Sequence, residues 1–361
     1  MAAAAARPGS PQGATDALGC AAMFAEFART ASPRAPLYQA LAAGIAEDQG
    51  LAALLLHAPP QQRQPVLLLA SVHYLLLRGR DRTGLGTHYP NLTPPGLAHG
   101  DPVPALRAFC ARHHDELVSL LASRSTQTNE IGRCSVLLPA FGLLGDEVGP
   151  LSHLDVGTSA GLNLLLDRYE YVYDPGGIVG GPSPVRLECD TRGAVPVPVT
   201  MPVIAERRGL DRSPLDVHDP DQARWLEACV WPDQTERFTR LRAALALARE
   251  AELEIHQGLA VADTAPLVLS AAAHPVVTNT WVLNYLSSAD RRAYVAALED
   301  CGRRRDLSWV FAESPRFVPE LPVRDREETA TVLVLVRWRA RRRTVHQLAR
   351  CHPHGYWLHW T

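Results

Sequence analysis

The segment Leu154-Asp155-Val156-Gly157-Thr158-Ser159-Ala160-Gly161-Leu162-Asn163-Leu164-Leu165 constrains the fold more than any other. A short apolar run reaches an acidic, glycine-spaced turn, and apolar residues then restart at helical period. This pattern is the entry to a βα unit, where a sharp turn brings backbone N–H groups and a helix N-terminus to a ligand. Two incompatible chemistries use such a turn. Read as Asp-x-Gly-x-x-x-Gly, it is a variant nucleotide-binding loop, with Gly157 admitting the turn and Gly161 allowing close helix–strand packing. Read as Gly157-Thr158-Ser159-Ala160-Gly161, it is a literal G-x-S-x-G nucleophile elbow.

The texture of the chain changes just before this segment. From about Phe24 to Leu144, apolar residues recur at three- and four-residue spacing, which predicts helices, with Thr83 to Gly100 as a long Gly- and Pro-rich loop. From Leu151, short apolar strands alternate with amphipathic helices, the signature of an α/β sheet. The predicted strands are Leu151 to Val156, Val203 to Leu210, Leu253 to Gln257, Pro275 to Asn279 and Leu307 to Ala312. Helices fit at Leu162 to Arg168, Asp221 to Val230, Thr235 to Glu250 and Ala289 to Gly302. Thr329 to Arg339 and Thr344 to Cys351 follow with no helix between them, so antiparallel strands should close a mostly parallel sheet. The insert Tyr169 to Pro202 reads as a β-hairpin excursion. The expected organisation is a disordered tail over 1–20, a helical cap over 21–147 and an α/β domain over 148–361.

Composition removes several function classes. All 36 basic residues are Arg, with no Lys anywhere among the 361 residues. A phosphate-loop lysine, a kinase strand lysine, a Schiff-base lysine and a Ser-Lys dyad are therefore excluded. The net charge of -2 gives no global field for nucleic acid or an anionic membrane. Arg337-Trp338-Arg339-Ala340-Arg341-Arg342-Arg343 is a local exception that reads as an exposed strand end and turn. The seven scattered cysteines include no C-x-x-C pair, which fits a reducing cytoplasm and no structural zinc site. The N-terminal stretch lacks the flanked apolar core of a signal peptide, and Val66 to Leu77 is too short to span a bilayer. A soluble cytoplasmic protein is expected. No metal-ligand spacing is visible, and the oligomeric state is unreadable.

The order of elements and their turn residues resembles the class I S-adenosylmethionine-dependent methyltransferases, from Leu151 to the C-terminus. Over nearly its whole length the chain also resembles a family of uncharacterised bacterial proteins known only as a domain of unknown function. Asp155-x-Gly157-x-x-x-Gly161 matches the first cofactor loop, with Ser159 where a middle glycine is usual. Gly209-Leu210-Asp211-Arg212-Ser213-Pro214 looks like the second-strand motif whose acidic residue holds the ribose. Gln257-Gly258-Leu259-Ala260-Val261-Ala262-Asp263 resembles the third-strand turn that flanks the adenine. Thr278-Asn279-Thr280-Trp281-Val282-Leu283-Asn284-Tyr285-Leu286 resembles the fourth-strand segment beside the reactive methyl. The resemblance implies a seven-stranded, Rossmann-like methyltransferase sheet under a helical N-terminal domain. It also implies S-adenosylmethionine as cofactor, a small-molecule methyl acceptor, and neither nucleic acid nor membrane as partner.

Each implied role has a physical reason and a plainer alternative. A carboxylate accepts bonds from both ribose hydroxyls, which suits Asp211, although Asp211 could equally open a capping turn with Ser213. The methionyl carboxylate would gain from N–H groups and a helix dipole after Gly157. Trp281 offers an aromatic face to a sulfonium, or it packs with Tyr285 four residues on along a helix. Asp263 suits an adenine contact or a turn. Glu313 falls at the carboxyl end of its strand, as does Asn279; Glu313 is the first choice for a substrate-facing acid or base, or it pairs with Arg316. Asn279 and Tyr285 complete the candidate catalytic set. Asn129, Glu130 and Arg133 are candidate substrate contacts, or Glu130 and Arg133 form a surface pair. Two other functions remain: a serine hydrolase using Ser159 with one of His346, His352, His354 or His359, and a non-catalytic cofactor-binding module.

Overall fold

The computed structural model describes residues 14–30, 35–81, 84–94, 100–324 and 331–361. The chain forms two compact units. Of the described residues, one unit contains those up to Thr128 together with His218–Arg242; the other contains those in Asn129–Val217 and Ala243–Thr361.

Every described regular element wholly within the first unit is helical: α1 (Ala17–Thr30), α2 (Pro36–Ala46), α3 (Gln49–Ala53), α4 (Pro65–Leu77), α5 (Val103–Arg112), α6 (His114–Ser123) and, after the return of the chain, α8 (Pro220–Ala228). Pro36 and Pro65 open α2 and α4, where the missing N–H costs nothing and the fixed φ suits the first turn. Asp48 caps α3 by accepting from the Gly50 and Leu51 amides. The run that is too short for a membrane becomes α4, which is buried nearly all round at the centre of this unit. Its His73 is fully buried, with Nδ1 at 3.0 Å from the Ala228 carbonyl and Nε2 at 2.9 Å from Asn91; burial drives its pKa down to about 4. The expected tail ends earlier than position 20, because α1 starts at Ala17; residues 1–13 lie outside those described.

The unit boundary differs from the sequence expectation at both ends. Trp225 and Ala228 belong to the helical core, and Trp225 donates its indole N–H to the Ser125 carbonyl at 2.9 Å. Conversely α7 (Cys134–Val148) belongs to the sheet unit, where Phe141 packs on His153 with ring centroids 4.8 Å apart. Amphipathic spacing states that a helix has a buried stripe and not which body covers it.

The second unit holds one 11-stranded sheet in the order β3-β2-β4-β11-β10-β9-β8-β7-β1-β5-β6. The strands are β1 (Leu151–Val156), β2 (Glu170–Asp174), β3 (Gly177–Val179), β4 (Arg186–Arg192), β5 (Ile204–Asp211), β6 (Glu254–Gln257), β7 (His274–Thr280), β8 (Leu307–Glu313), β9 (Thr331–Arg339), β10 (Arg342–Cys351) and β11 (Trp357–Trp360). The run β6-β5-β1-β7-β8 is parallel throughout, and β9 joins β8 antiparallel and pairs antiparallel with β10, the antiparallel finish expected from two strands with no helix between them. The sheet is wider than the seven strands expected because the insert is not a separate excursion. Its β2 and β3 form the hairpin, but β4 pairs parallel with β2 and with β11 and so extends the main sheet. The remaining α-helices among the described residues are α9 (Thr235–Arg249), which the unit boundary crosses at Arg242, α10 (Ala260–Leu269) and α11 (Ser288–Arg304).

Strand β1 is paired on both sides and buried at all its residues. Alternation sends Leu154 and Val156 into the apolar core with Tyr294, Trp309 and Phe311, and sends His153 and Asp155 to the face that α7 covers. The arginine-rich run reads as expected. Arg337 and Arg339 reach Glu147 at 2.7 and 2.6 Å, Arg343 reaches Glu299 at 3.0 Å, and the run turns at Ala340-Arg341. No described helix is long and apolar enough to cross a membrane.

Ala340 and Arg341 have φ of 48° and 65°. A two-residue hairpin with both central residues left-handed favours Asn-Gly, because residues with a Cβ are strained there. The double replacement Ala340→Asn, Arg341→Gly should therefore stabilise the fold by about 1 kcal/mol. Chemical denaturation checks this, and an unchanged or lower midpoint refutes it.

Candidate functional site

In chain order, the five parallel strands run third, second, first, fourth, fifth across the sheet. The connections leave β1 in opposite directions, so the switch point lies between β1 and β7, the position at which open parallel sheets generally take their ligands, outside the carboxyl ends of the strands. Four features flagged in the sequence reach that rim: the Gly157–Gly161 turn after β1, Asp211 ending β5, Trp281 after β7 and Glu313 ending β8.

The turn is built from left-handed residues. Gly157, Ser159 and Gly161 have φ of 85°, 55° and 76°. A Cβ on Gly157 would stand 2.4 Å from Val282 Cγ2, so only glycine lets that side chain close over the bend. The Gly157 amide donates to the Leu210 carbonyl at 2.7 Å and the Ser159 amide donates to Asp211 Oδ2 at 2.8 Å. Asp211 Oδ1 accepts from the Ser213 amide at 2.8 Å. Asp211 thus closes a turn with Ser213, the plainer of its two readings, and also grips the bend through the Ser159 amide.

The helix expected after the bend is not an α-helix. Leu162–Arg168 is a 3-10 segment broken at Leu165 (φ -95°, ψ 19°). Its apolar residues are buried on every side, and the Leu162 and Leu166 carbonyls accept from the hydroxyls of Tyr169 and Tyr171 at 2.7 and 2.5 Å. Those carbonyls are drawn away from a regular ladder, so the helix-dipole contribution to anion binding falls away.

Buried polar groups concentrate around the switch point. Asp155 is 2% exposed; its Oδ1 accepts from Thr278 Oγ1 at 2.7 Å, the Thr158 hydroxyl also faces the carboxyl, and Oδ2 makes no hydrogen bond of good geometry among the described residues. Burial lifts its pKa to about 6. His153 Nε2 lies 2.9 Å from the same Thr278 hydroxyl, which places its proton on Nε2. Burial drives that imidazole down to about 3, so it is neutral. Glu313 is fully buried; Oε1 accepts from the Val282 and Leu283 amides at 2.6 and 3.1 Å, and Oε2 has no described partner. Burial raises Glu313 to about 7. Trp281 is left-handed (φ 59°), which is uncommon for a bulky residue, and its buried Nε1 has no described partner.

Several expected roles are corrected by these positions. Asn279 faces away from Asp155: its amide donates to the Val156 carbonyl at 3.1 Å, and its Oδ1 accepts from Tyr294 and Trp309 at 3.0 and 2.7 Å. It is an internal strut. Tyr285 is 78% exposed, and a 3-10 turn (Leu283–Tyr285) stands where a helix was expected to pair it with Trp281. Ala260 opens α10, and Asp263 accepts from the Leu259 amide at 2.7 Å, so Asp263 is a turn former. Glu313 secures the Trp281 loop and does not contact Arg316 in a pair; Arg316 stacks over Phe317 at 4.7 Å.

The polar segment before α7 is drawn into the site. Asn129 donates to the Thr158 carbonyl at 2.7 Å, and Glu130 accepts from the Gly132 amide at 3.0 Å. Arg133 donates to the Thr280 carbonyl at 2.7 Å and to the Pro353 carbonyl at 3.0 Å. One guanidinium therefore ties the end of β7 to the turn His352-Pro353-His354-Gly355-Tyr356. The sequence marks that turn only as a source of possible hydrolase histidines. Because β10 is antiparallel to β9 and hence parallel to β8, it ends at the same rim.

The helical unit carries a hollow lined by Asp48, Leu51, Arg107, Cys110 and His114, but Asp48 is spent on capping α3 and on Arg107 at 2.9 Å. No curated protein and no solved structure matches the chain. A family model does match, over residues 21–360, and its description is an uncharacterized protein conserved in bacteria. The chain belongs to that bacterial family, DUF2332.

Proposed function

We propose that the sheet unit binds S-adenosylmethionine at the β1–β7 switch point and transfers its methyl group to a small molecule. The observation that carries this reading is Asp211: a carboxylate at the end of the second strand, fixed against the glycine bend through the Ser159 amide. Each of its oxygens accepts one described backbone bond and retains lone-pair capacity for a ribose hydroxyl.

Other residues fit further parts of the same group. The buried Asp155 carboxyl, whose Oδ2 lacks a hydrogen bond of good geometry, suits the methionyl ammonium. Arg133, at the end of β7, supplies the positive charge for the methionyl carboxylate that the broken 3-10 segment does not. Trp281 offers an aromatic face to the sulfonium, and Glu313 holds the two amides that follow it. The cofactor supplies an electrophilic methyl on a sulfonium. The chain's own residues orient it, exclude water and fix the approach of the acceptor, so catalysis here is chiefly positioning.

Titration calorimetry with the demethylated product, S-adenosylhomocysteine, tests the reading. Binding by the wild type and its loss in Asp211→Ala are expected; no heat of binding to wild type at millimolar ligand overturns it. Asp211→Asn keeps one of the two acceptor oxygens, and comparing its melting temperature with that of Asp211→Ala separates loss of the carboxylate from collapse of the bend.

The serine hydrolase is a second reading, favoured by the left-handed Ser159 on a sharp strand exit. It requires fluorophosphonate labelling that disappears in Ser159→Ala. Under methyl transfer, no label is incorporated.

Glu313 also sets a pH dependence. The folded chain holds its proton where an unfolded glutamate has released it, so this contribution to stability falls as pH rises from about 4.5 through about 7. The difference amounts to about 3 kcal/mol. Glu313→Gln keeps an acceptor for the two amides without the charge, and should gain in melting temperature over wild type between pH 5 and pH 8. Parallel melting curves at both pH values contradict the assignment.

A further inference from the structure

We infer that Thr278, oriented by His153, is a positioning residue that confines the proton of Asp155 to Oδ2, so that a ligand bearing a primary ammonium displaces it. The inference rests on the methyl-transfer reading and deepens it: the ammonium of the cofactor enters as a proton is expelled.

Strand register brings the three side chains together. His153 and Asp155 stand two apart on β1 and so share a face, and Thr278 on β7 lies directly opposite Asp155. All three are buried, His153 and Thr278 completely. Thr278 Oγ1 lies 2.7 Å from Asp155 Oδ1 and 2.9 Å from His153 Nε2.

A hydroxyl carries one proton, so this chain has a direction. With Asp155 ionised, its oxygens only accept. Thr278 then donates to Oδ1, and His153 donates to Thr278 through Nε2–H. The reverse order needs the proton of a neutral Asp155 on Oδ1 and the imidazole proton on Nδ1. His153 Nδ1 is buried with no hydrogen-bond partner among the described residues, and the Phe141 ring packs against that imidazole at 4.8 Å between centroids. A buried N–H without an acceptor is costly, so the chain keeps its first direction. Oδ1 is thereby committed as an acceptor, and Asp155 takes up or releases its proton at Oδ2.

The surroundings keep that proton removable. Burial lifts Asp155 to about 6; the Thr278 and Thr158 hydroxyls pull against the rise, the Asp211 carboxylate on β5 adds to it, and the Arg133 guanidinium before α7 opposes it. The other titratable groups within electrostatic reach are His153 on β1, Cys134 on α7 and Tyr294 on α11. Binding below pH 6 is therefore an exchange. The Asp155 carboxyl gives its Oδ2 proton to solvent, and the ligand ammonium becomes the partner of the carboxylate. A ligand without an ammonium leaves the proton in place.

The test is titration calorimetry on the full-length protein in two buffers of different ionisation enthalpy, which counts the protons released per ligand bound. The probes are S-adenosylhomocysteine and methylthioadenosine, which keeps the nucleoside and thioether but has neither ammonium nor carboxylate. With wild type, S-adenosylhomocysteine should release close to one proton at pH 5 and about a tenth of one at pH 7, and methylthioadenosine close to none at either. Thr278→Val removes the donor to Oδ1 and should raise the release at pH 7 about fivefold, while Thr278→Ser should restore the wild-type value. Equal release by the two probes, or unaltered release at pH 7 in a folded Thr278→Val, overturns the assignment. The wild-type comparison decides it alone if that variant fails to fold. Binding of neither probe removes the methyl-transfer reading, and this assignment with it.

Discussion

A strand paired on both sides and buried on both faces leaves its chain only one exit, a sharp bend at the sheet rim. In this protein that strand is β1, and the bend needs left-handed backbone at Gly157, Ser159 and Gly161. The Asp211 carboxylate holds the bend from the next strand, and the Val282 side chain closes over Gly157 from the other side. Because the crossovers part at β1, the same bend stands where a parallel sheet opens a crevice. Fold and candidate site therefore depend on one constraint.

Around this point the protein tolerates buried polar groups. Asp155 and Glu313 each have one oxygen without a hydrogen bond of good geometry among the described residues, and both are held toward the protonated form by burial. Burying a carboxyl without full hydrogen bonding is costly, and such groups concentrate where a ligand or proton is to be handled. Glu313 acts one step back: it fixes the Val282 and Leu283 amides, and through them the Trp281 loop. Arg133 is the counterpart on the opposite face, tying strand end, turn and pre-helix segment together.

Much of this was legible in the sequence because it depended on local chemistry. The parallel strands β1, β5, β6, β7 and β8 follow from short apolar runs, the antiparallel finish from the lack of a helix between β9 and β10, and the bend from its glycine spacing. Other assignments failed for identifiable reasons. Asn279 has the right position along its strand but the wrong face, and its amide is used up between Val156, Tyr294 and Trp309. Leu162–Arg168 has helical spacing, yet tyrosine hydroxyls from the following chain compete for its carbonyls.

The sequence by itself determined the α/β alternation, the absence of any lysine chemistry and the acidic, glycine-spaced turn, since each rests on residue type or on spacing within a few positions. Only the tertiary structure decided that α8 joins the helical unit, that β4 and β11 widen the sheet, and that the His352–Tyr356 turn meets Arg133 at the rim. Those outcomes depend on pairings between residues up to 220 positions apart, as between Arg133 and Pro353. Local spacing states how an element is faced, and only packing states what it faces.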